Sequence, residues 1–131
     1  MTVFVDTSAL YAVLDREDPA HGLAVRALQR LRDADESLLT HAYVEVEAVD
    51  LVHRRLGWPG LDALTDALLP LIEVSYVDED LHVAARSAMR AARSNVSFVD
   101  WVSFTFMSRE SVRTAYAFDH DFALQGFTLA R

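Results

Sequence analysis

The chain has 131 residues, 52% of them hydrophobic, which suits one folded domain over residues 1–131 and argues against disorder. With no cysteine, disulfides and thiolate metal sites are excluded; no apolar run is long enough to cross a bilayer, and no basic leader precedes an apolar stretch, so the cytoplasm is the default compartment. The formal charge is −8, from 12 basic and 20 acidic residues, the wrong sign for gripping nucleic acid by bulk electrostatics; every basic residue is an arginine, the side chain suited to bidentate pairing with phosphate or carboxylate.

Val3, Phe4 and Val5 form an apolar run without polar interruption, as expected of a strand covered on both faces. The run ends in Asp6, Thr7 and Ser8. Either Asp6, Thr7 or Ser8 simply caps the next helix, or Asp6 is a ligand-facing acid at a strand's carboxyl end, where open α/β sheets bind their ligands. A first helix is predicted from Thr7 to about Leu14. Asp18-Pro19 predicts the start of a second, with Leu23, Ala24, Ala27, Leu28 and Leu31 at helical spacing.

Leu38 to Thr40 reads as the second strand. A helix follows from Ala42 to Leu56, stopped by Gly57, with Trp58-Pro59-Gly60 as a turn. Leu61, Leu64, Ala67 and Leu68 mark a further helix ending before Pro70. Leu71 to Val77 is expected to be a third strand with Ile72, Val74 and Tyr76 alternating. Asp78-Glu79-Asp80 caps the next helix, which Ser94-Asn95 breaks. Val99 to Ser108 is a helix, Thr114 to Phe118 a fourth strand, and Gly126 to Leu129 a short edge strand. Strands alternating with helices, without hairpin signals, call for a parallel sheet with helices on both faces.

Several acids stand where core-facing or strand-end residues are expected. Asp6 is the first. The second is Glu45 or Glu47, in an otherwise apolar helix; the helical wheel slightly favours Glu45, and pairing with Arg54 or Arg55 is the structural alternative. Asp100 shares capping-box spacing with Ser97 but is flanked by Phe98, Val99, Trp101 and Val102. Asp119 and Asp121 follow the fourth strand, where an ordinary turn is the plain explanation. In a parallel sheet all these points fall on one rim. Carboxylates brought together need protons or a cation among them, and oxygen-only ligands select hard ions such as Mg²⁺ or Mn²⁺. Phosphodiester hydrolysis by metal-activated water is the chemistry that such a set serves.

His41, His53 and His82 read as structural or exposed, and His120 as incidental to the acids beside it. No histidine pair has zinc-site spacing, and four glycines form no phosphate-binding loop.

Val5 to Leu10, Asp18 to His21, Thr40 to Glu47, Ser97 to Asp100 and Ala117 to Phe122 together resemble the successive motifs of PIN-domain ribonucleases, above all the VapC-type toxins of toxin–antitoxin pairs. The resemblance spans nearly the whole chain. It implies a three-layer α/β/α sandwich with a central parallel sheet and a Mg²⁺- or Mn²⁺-dependent endoribonuclease. It assigns catalytic roles to Asp6, Glu47, Asp100 and Asp119, choosing Glu47 over Glu45 by the Tyr43-to-Glu47 spacing. Asp6, Asp100, Asp119 and Asp121 would hold the metal. It further implies an RNA substrate, a cognate antitoxin and a homodimer, with no membrane association. Arg86, Arg90 and Arg93 share one helix side and are candidates for contacting the RNA backbone. Two other readings share the fold: a PIN nuclease of RNA maturation without an antitoxin, and a catalytically silent partner-binding module.

Overall fold

The computed structural model describes residues 1–131. Five strands form one all-parallel sheet: β1 (Thr2–Val5), β2 (Ser37–His41), β3 (Glu73–Ser75), β4 (Thr114–Tyr116) and β5 (Thr128–Leu129), in the order β3-β2-β1-β4-β5. The helices are α1 (Thr7–Leu14), α2 (His21–Asp33), α3 (Ala42–Ala63), α4 (Glu79–Ala92), α5 (Phe98–Arg109) and the single turn α6 (Asp121–Leu124). Both neighbours of β1 run parallel to it, with Val5 opposite Tyr116 on β4 and Phe4 opposite Leu39 on β2.

The uninterrupted apolar β1 is explained by what covers it. Val5 faces Leu10, Val13, Leu28 and Leu68, from the layer of α1, α2 and the segment after α3. Phe4 points the other way, its ring centroid 6.0 Å from Phe106 of α5 and 5.9 Å from Phe122 of α6. Right-handed crossovers demand this split. The chain steps from β1 to β2 to β3 with helices on one face, then returns past β1 to β4 with α4 and α5 on the other. Tyr116 reaches from β4 into the first layer, its hydroxyl donating to the Ala24 carbonyl of α2.

Three local expectations are corrected. The second helix begins at His21 rather than at Pro19, because Asp18 is spent on a turn: its carboxylate accepts the Ala20 N–H at 2.8 Å and its carbonyl the His21 N–H at 2.9 Å. Gly57 does interrupt the helix (φ 69°, ψ −163°), but Trp58-Pro59-Gly60 is no turn, since the chain re-enters helix at once. Pro59 is tolerated there because the first turn of a new helix has no partners for its N–H groups. The helix then loosens into a π turn (Leu64–Leu68) and a 3-10 turn (Leu69–Leu71) around Pro70. Strand β3 is only Glu73–Ser75, and Tyr76 projects from its end, 86% exposed.

The conformation of Gly57 is closed to residues with a Cβ, and forcing one there costs about 1–3 kcal/mol. Gly57→Ala is therefore expected to lower unfolding free energy by that amount in urea titration, while leaving cation affinity measured by calorimetry unchanged.

Candidate metal centre

β1 and β4 lie side by side, and the Asp6 N–H donates to the Tyr116 carbonyl at 3.1 Å. This bond ties the first acid to the strand whose exit carries Asp119. Asp6 is buried, 3% exposed. Its Oδ2 accepts the N–H of Ser8 at 3.1 Å and the Ser8 hydroxyl at 2.6 Å, capping α1. Its Oδ1 is buried and has no hydrogen-bond partner. The cap and the ligand-facing acid are thus the two oxygens of one carboxylate.

Ser8 does a second job. Its hydroxyl accepts the N–H of Phe118 at 2.9 Å while donating to Asp6. One side chain therefore fixes both the Asp6 carboxylate and the backbone just before Asp119. Nothing in the sequence marked Ser8 beyond its place two residues after an acid.

Asp100 enters from the first turn of α5. The Ser97 hydroxyl accepts the Asp100 N–H at 3.2 Å, so half of the capping box exists. The other half does not, because the Asp100 carboxylate lies with Asp119 and Asp121, one oxygen of each falling within 4.8 Å of the others. Asp119 Oδ1 also accepts the Asp121 N–H at 2.9 Å, holding the two acids in one turn. Asp6 stands just outside this triad, near enough that its charge is the second cause raising the Asp100 pKa. Glu47 is close enough for its charge to act on both Asp6 and Asp100. Glu45 contributes to neither. Helix α3 buries Val44, Ala48 and Val52, with Glu47 at the edge of that stripe nearest the other acids. Of the two glutamates it is thus Glu47, and not the wheel's Glu45, whose charge reaches Asp6 and Asp100.

None of these acids pairs with an arginine. Of twelve arginines only Arg109 forms an ion pair, with Asp78 at 3.0 Å and Glu110 at 3.7 Å. Uncompensated burial has the expected electrostatic result. Asp6 is pushed up to about 6, chiefly by burial, against the lowering effect of the Ser8 hydrogen bonds. Asp100 is pushed up to about 8 by burial, then by Asp6 and Asp119. Asp121 is raised by burial and by Asp119.

His41 organises the scaffold below. It is fully buried at the end of β2, and its Nδ1 caps α3 by accepting the N–H of Tyr43 at 3.2 Å and of Val44 at 3.4 Å. Its Nε2 lies 2.9 Å from the Ser103 hydroxyl, which itself donates to the Val99 carbonyl at 3.0 Å. The ring therefore carries its proton on Nε2 and links the starts of α3 and α5. Burial pushes its pKa down to about 4, so it stays neutral. His120 is exposed and makes no side-chain hydrogen bond.

The donor set fits a hard divalent cation. Asp100, Asp119 and Asp121 offer only carboxylate oxygens, the buried Oδ1 of the neighbouring Asp6 has no partner, and none of the four is in an ion pair with an arginine. The arginines expected along the RNA backbone form no ion pair with this cluster. Arg86 and Arg90 are on α4 and Arg93 is its C-cap; all three are exposed.

Comparison with known proteins gives the family and the fold. The sequence profile of the PIN domain covers residues 3–127. The 23S rRNA-specific endonuclease VapC20 of Mycobacterium tuberculosis is 33% identical over 131 residues, spanning 98% of each chain. The crystal structure of VapC20, described as a toxin cleaving the sarcin–ricin loop, matches with a TM-score of 0.81 at 32% identity over 96% of each chain. Two more distant structures share the fold. FitAcB from Neisseria gonorrhoeae has a TM-score of 0.70 at 17% identity, over 100% of this chain and 97% of that one. VapBC2 from Rickettsia felis, bound to a promoter DNA fragment, has a TM-score of 0.73 at 12% identity, over 98% and 97%.

The raised acids set a pH dependence whose sign is fixed by linkage. A carboxyl with a folded pKa above its unfolded value takes up a proton on folding, so stability is lost as pH rises between the two values. His41, depressed, acts oppositely, between about 4 and 6.5. Of the raised carboxyls with a stated value, Asp100 reaches highest, to about 8, so it carries the linked change above pH 6.5. In chelator, Tm is expected to fall as pH rises from 6.5 to 8. Excess Mn²⁺ should remove the fall, and Asp100→Asn should abolish both the fall and the Mn²⁺ response. Differential scanning fluorimetry across that range measures it.

Proposed function

The chain belongs to the PIN-domain family, and from that premise we propose that it is a divalent-metal-dependent endoribonuclease and the toxin of a toxin–antitoxin pair. The single observation that carries this reading is the convergence of one buried and several half-buried acids without an arginine ion pair, with the Asp6 Oδ1 oxygen unpartnered. Nearly full-length similarity to VapC20, itself a 23S rRNA-specific endonuclease, supports RNA as substrate and makes an rRNA stem-loop the first to try.

In this reading Asp6, Asp100, Asp119 and Asp121 hold Mg²⁺ or Mn²⁺. When bound, the ion lowers the pKa of water and offsets charge on the phosphate. The protein's own groups do the rest. Ser8 fixes the Asp6 carboxylate so that Oδ2 is occupied and Oδ1 is presented. Glu47, at the edge of α3, orients the attacking water. Asp119 and Asp121 hold their turn rigid through the backbone bond between them. No covalent enzyme intermediate is needed.

The same proposal includes a cognate antitoxin as partner, a second copy of the chain as dimer mate, and action in the cytoplasm. No helix is long and apolar enough to cross a membrane.

Purified protein is expected to cleave RNA, assayed first on 23S rRNA fragments, in Mg²⁺ or Mn²⁺ and not in chelator. Asp6→Asn and Asp100→Asn should each reduce the rate by more than about 100-fold, since even the hydrogen-bond partners of metal ligands are worth roughly 10–100-fold. Cleavage that survives chelation, or either substitution, overturns the mechanism.

A further inference from the structure

We propose that Arg86, Arg90 and Arg93 form a track that holds the phosphates of the RNA strand running from the acidic cluster; this rests on the ribonuclease reading above. The track's origin is fixed by contacts. His82, in the first turns of α4, bonds through Nδ1 to the Tyr43 hydroxyl of α3 at 2.7 Å and packs edge-on against Phe98 of α5, ring centroids 5.1 Å apart. The α4 row therefore starts against the turns that carry Glu47 and Asp100.

From His82 the row continues by helical spacing. Arg86 and Arg90 follow at intervals of four, beside the buried stripe of Leu81 and Ala85, and Arg93 follows three residues later. Each step of four advances about 6 Å along the axis, and the row is about 16 Å long from His82 to Arg93. That spacing is comparable with successive phosphates of an extended strand. The guanidiniums present bidentate donors to such oxygens.

Their surroundings keep them available. All three are exposed and none has an acid within ion-pair distance, in a chain with eight more acids than bases. The acids of α4, Glu79 and Asp80, sit in its first turn, at the end away from Arg90 and Arg93. A favourable helix-dipole position accounts for Arg90 and Arg93 at the C-terminal end, but not for Arg86 in mid-helix.

Phosphate contacts leave a signature in salt dependence. For a single strand, log K falls with log salt with a slope of about −0.7 per phosphate neutralised. Anisotropy titrations of a labelled single-stranded RNA between 50 and 300 mM salt, in Mg²⁺ and the cleavage-deficient Asp100→Asn background, measure it. Replacing all three arginines by glutamine is expected to flatten the slope by about 2. Arg26, Arg30 and Arg32 of α2, exposed on the opposite layer, provide the control for net charge; their glutamine triple should keep the parent slope. Circular dichroism and Tm confirm that both triples fold. An unchanged slope in the α4 triple, with RNA still cleaved by the wild type, overturns the track alone and leaves the row to an acidic protein surface. Equal loss in the α2 triple also overturns it, assigning the effect to bulk charge. A wild type that neither binds nor cleaves RNA removes the ribonuclease reading and the track together.

Discussion

The structure is organised around an electrostatic conflict at the carboxyl rim of the sheet. Four aspartates and a glutamate approach one another there without an arginine ion pair; Arg54 lies beside Glu47 at the edge, and His120 stands between Asp119 and Asp121. Burying an ionised carboxylate in apolar surroundings is costly enough that the group either neutralises or finds a cation. Ser8 supplies two hydrogen bonds to Asp6, and still burial dominates and the pKa rises. Local hydrogen bonding therefore cannot resolve the conflict. Protons resolve it at low pH, and a divalent ion resolves it at neutral pH in a way useful for phosphodiester chemistry.

A scaffold that keeps such a site must be rigid independently of it. The sheet is covered on both faces, and Phe4 alone contacts rings from β2, α5 and α6. Beneath the acids, polar connections tie the elements together: His41 caps α3 with one nitrogen and reaches Ser103 with the other. Thr40 donates to the Val5 carbonyl at 2.7 Å, closing β2 against the end of β1. Each of these bonds lies one or two residues from an element bearing a site acid. They hold the strand end and helix starts in place, so the repulsion between carboxylates is borne by packed core rather than relieved by movement.

Much of this was legible in the residues, and the exceptions have a common cause. The apolar β1, the alternation of strands and helices, and the rim position of Asp6, Asp100 and Asp119 follow from patterns with a fixed period or a fixed place in parallel topology. What pattern misjudged depended on competition for one group. Asp18 could cap a helix or close a turn, and the turn won. Trp58-Pro59-Gly60 has turn composition, but the Gly57 conformation alone makes the bend, leaving Pro59 free to open a helix. Glu45 and Glu47 flank the same buried stripe, and a wheel cannot say which edge faces another part of the chain. Ser8 and His41 escaped notice as site supports because their partners lie 110 and 62 residues away, at Phe118 and Ser103.

The chain's negative charge and an RNA substrate are reconciled by distance. At physiological ionic strength the field of an exposed charge decays over about 8 Å, so a phosphate near the rim responds to its neighbours rather than to the net −8. Those neighbours differ by region. Burial and mutual repulsion raise Asp6 to about 6 and Asp100 to about 8, so the rim is less negative near neutral pH than its count of acids suggests. Of the twelve arginines only Arg109 is in an ion pair, and Arg55 stacks over the Tyr11 ring, 5.4 Å from its centroid; the others are not spent on such contacts. An acidic protein whose arginines are largely unpaired thus keeps exposed cationic groups that can meet an anion locally.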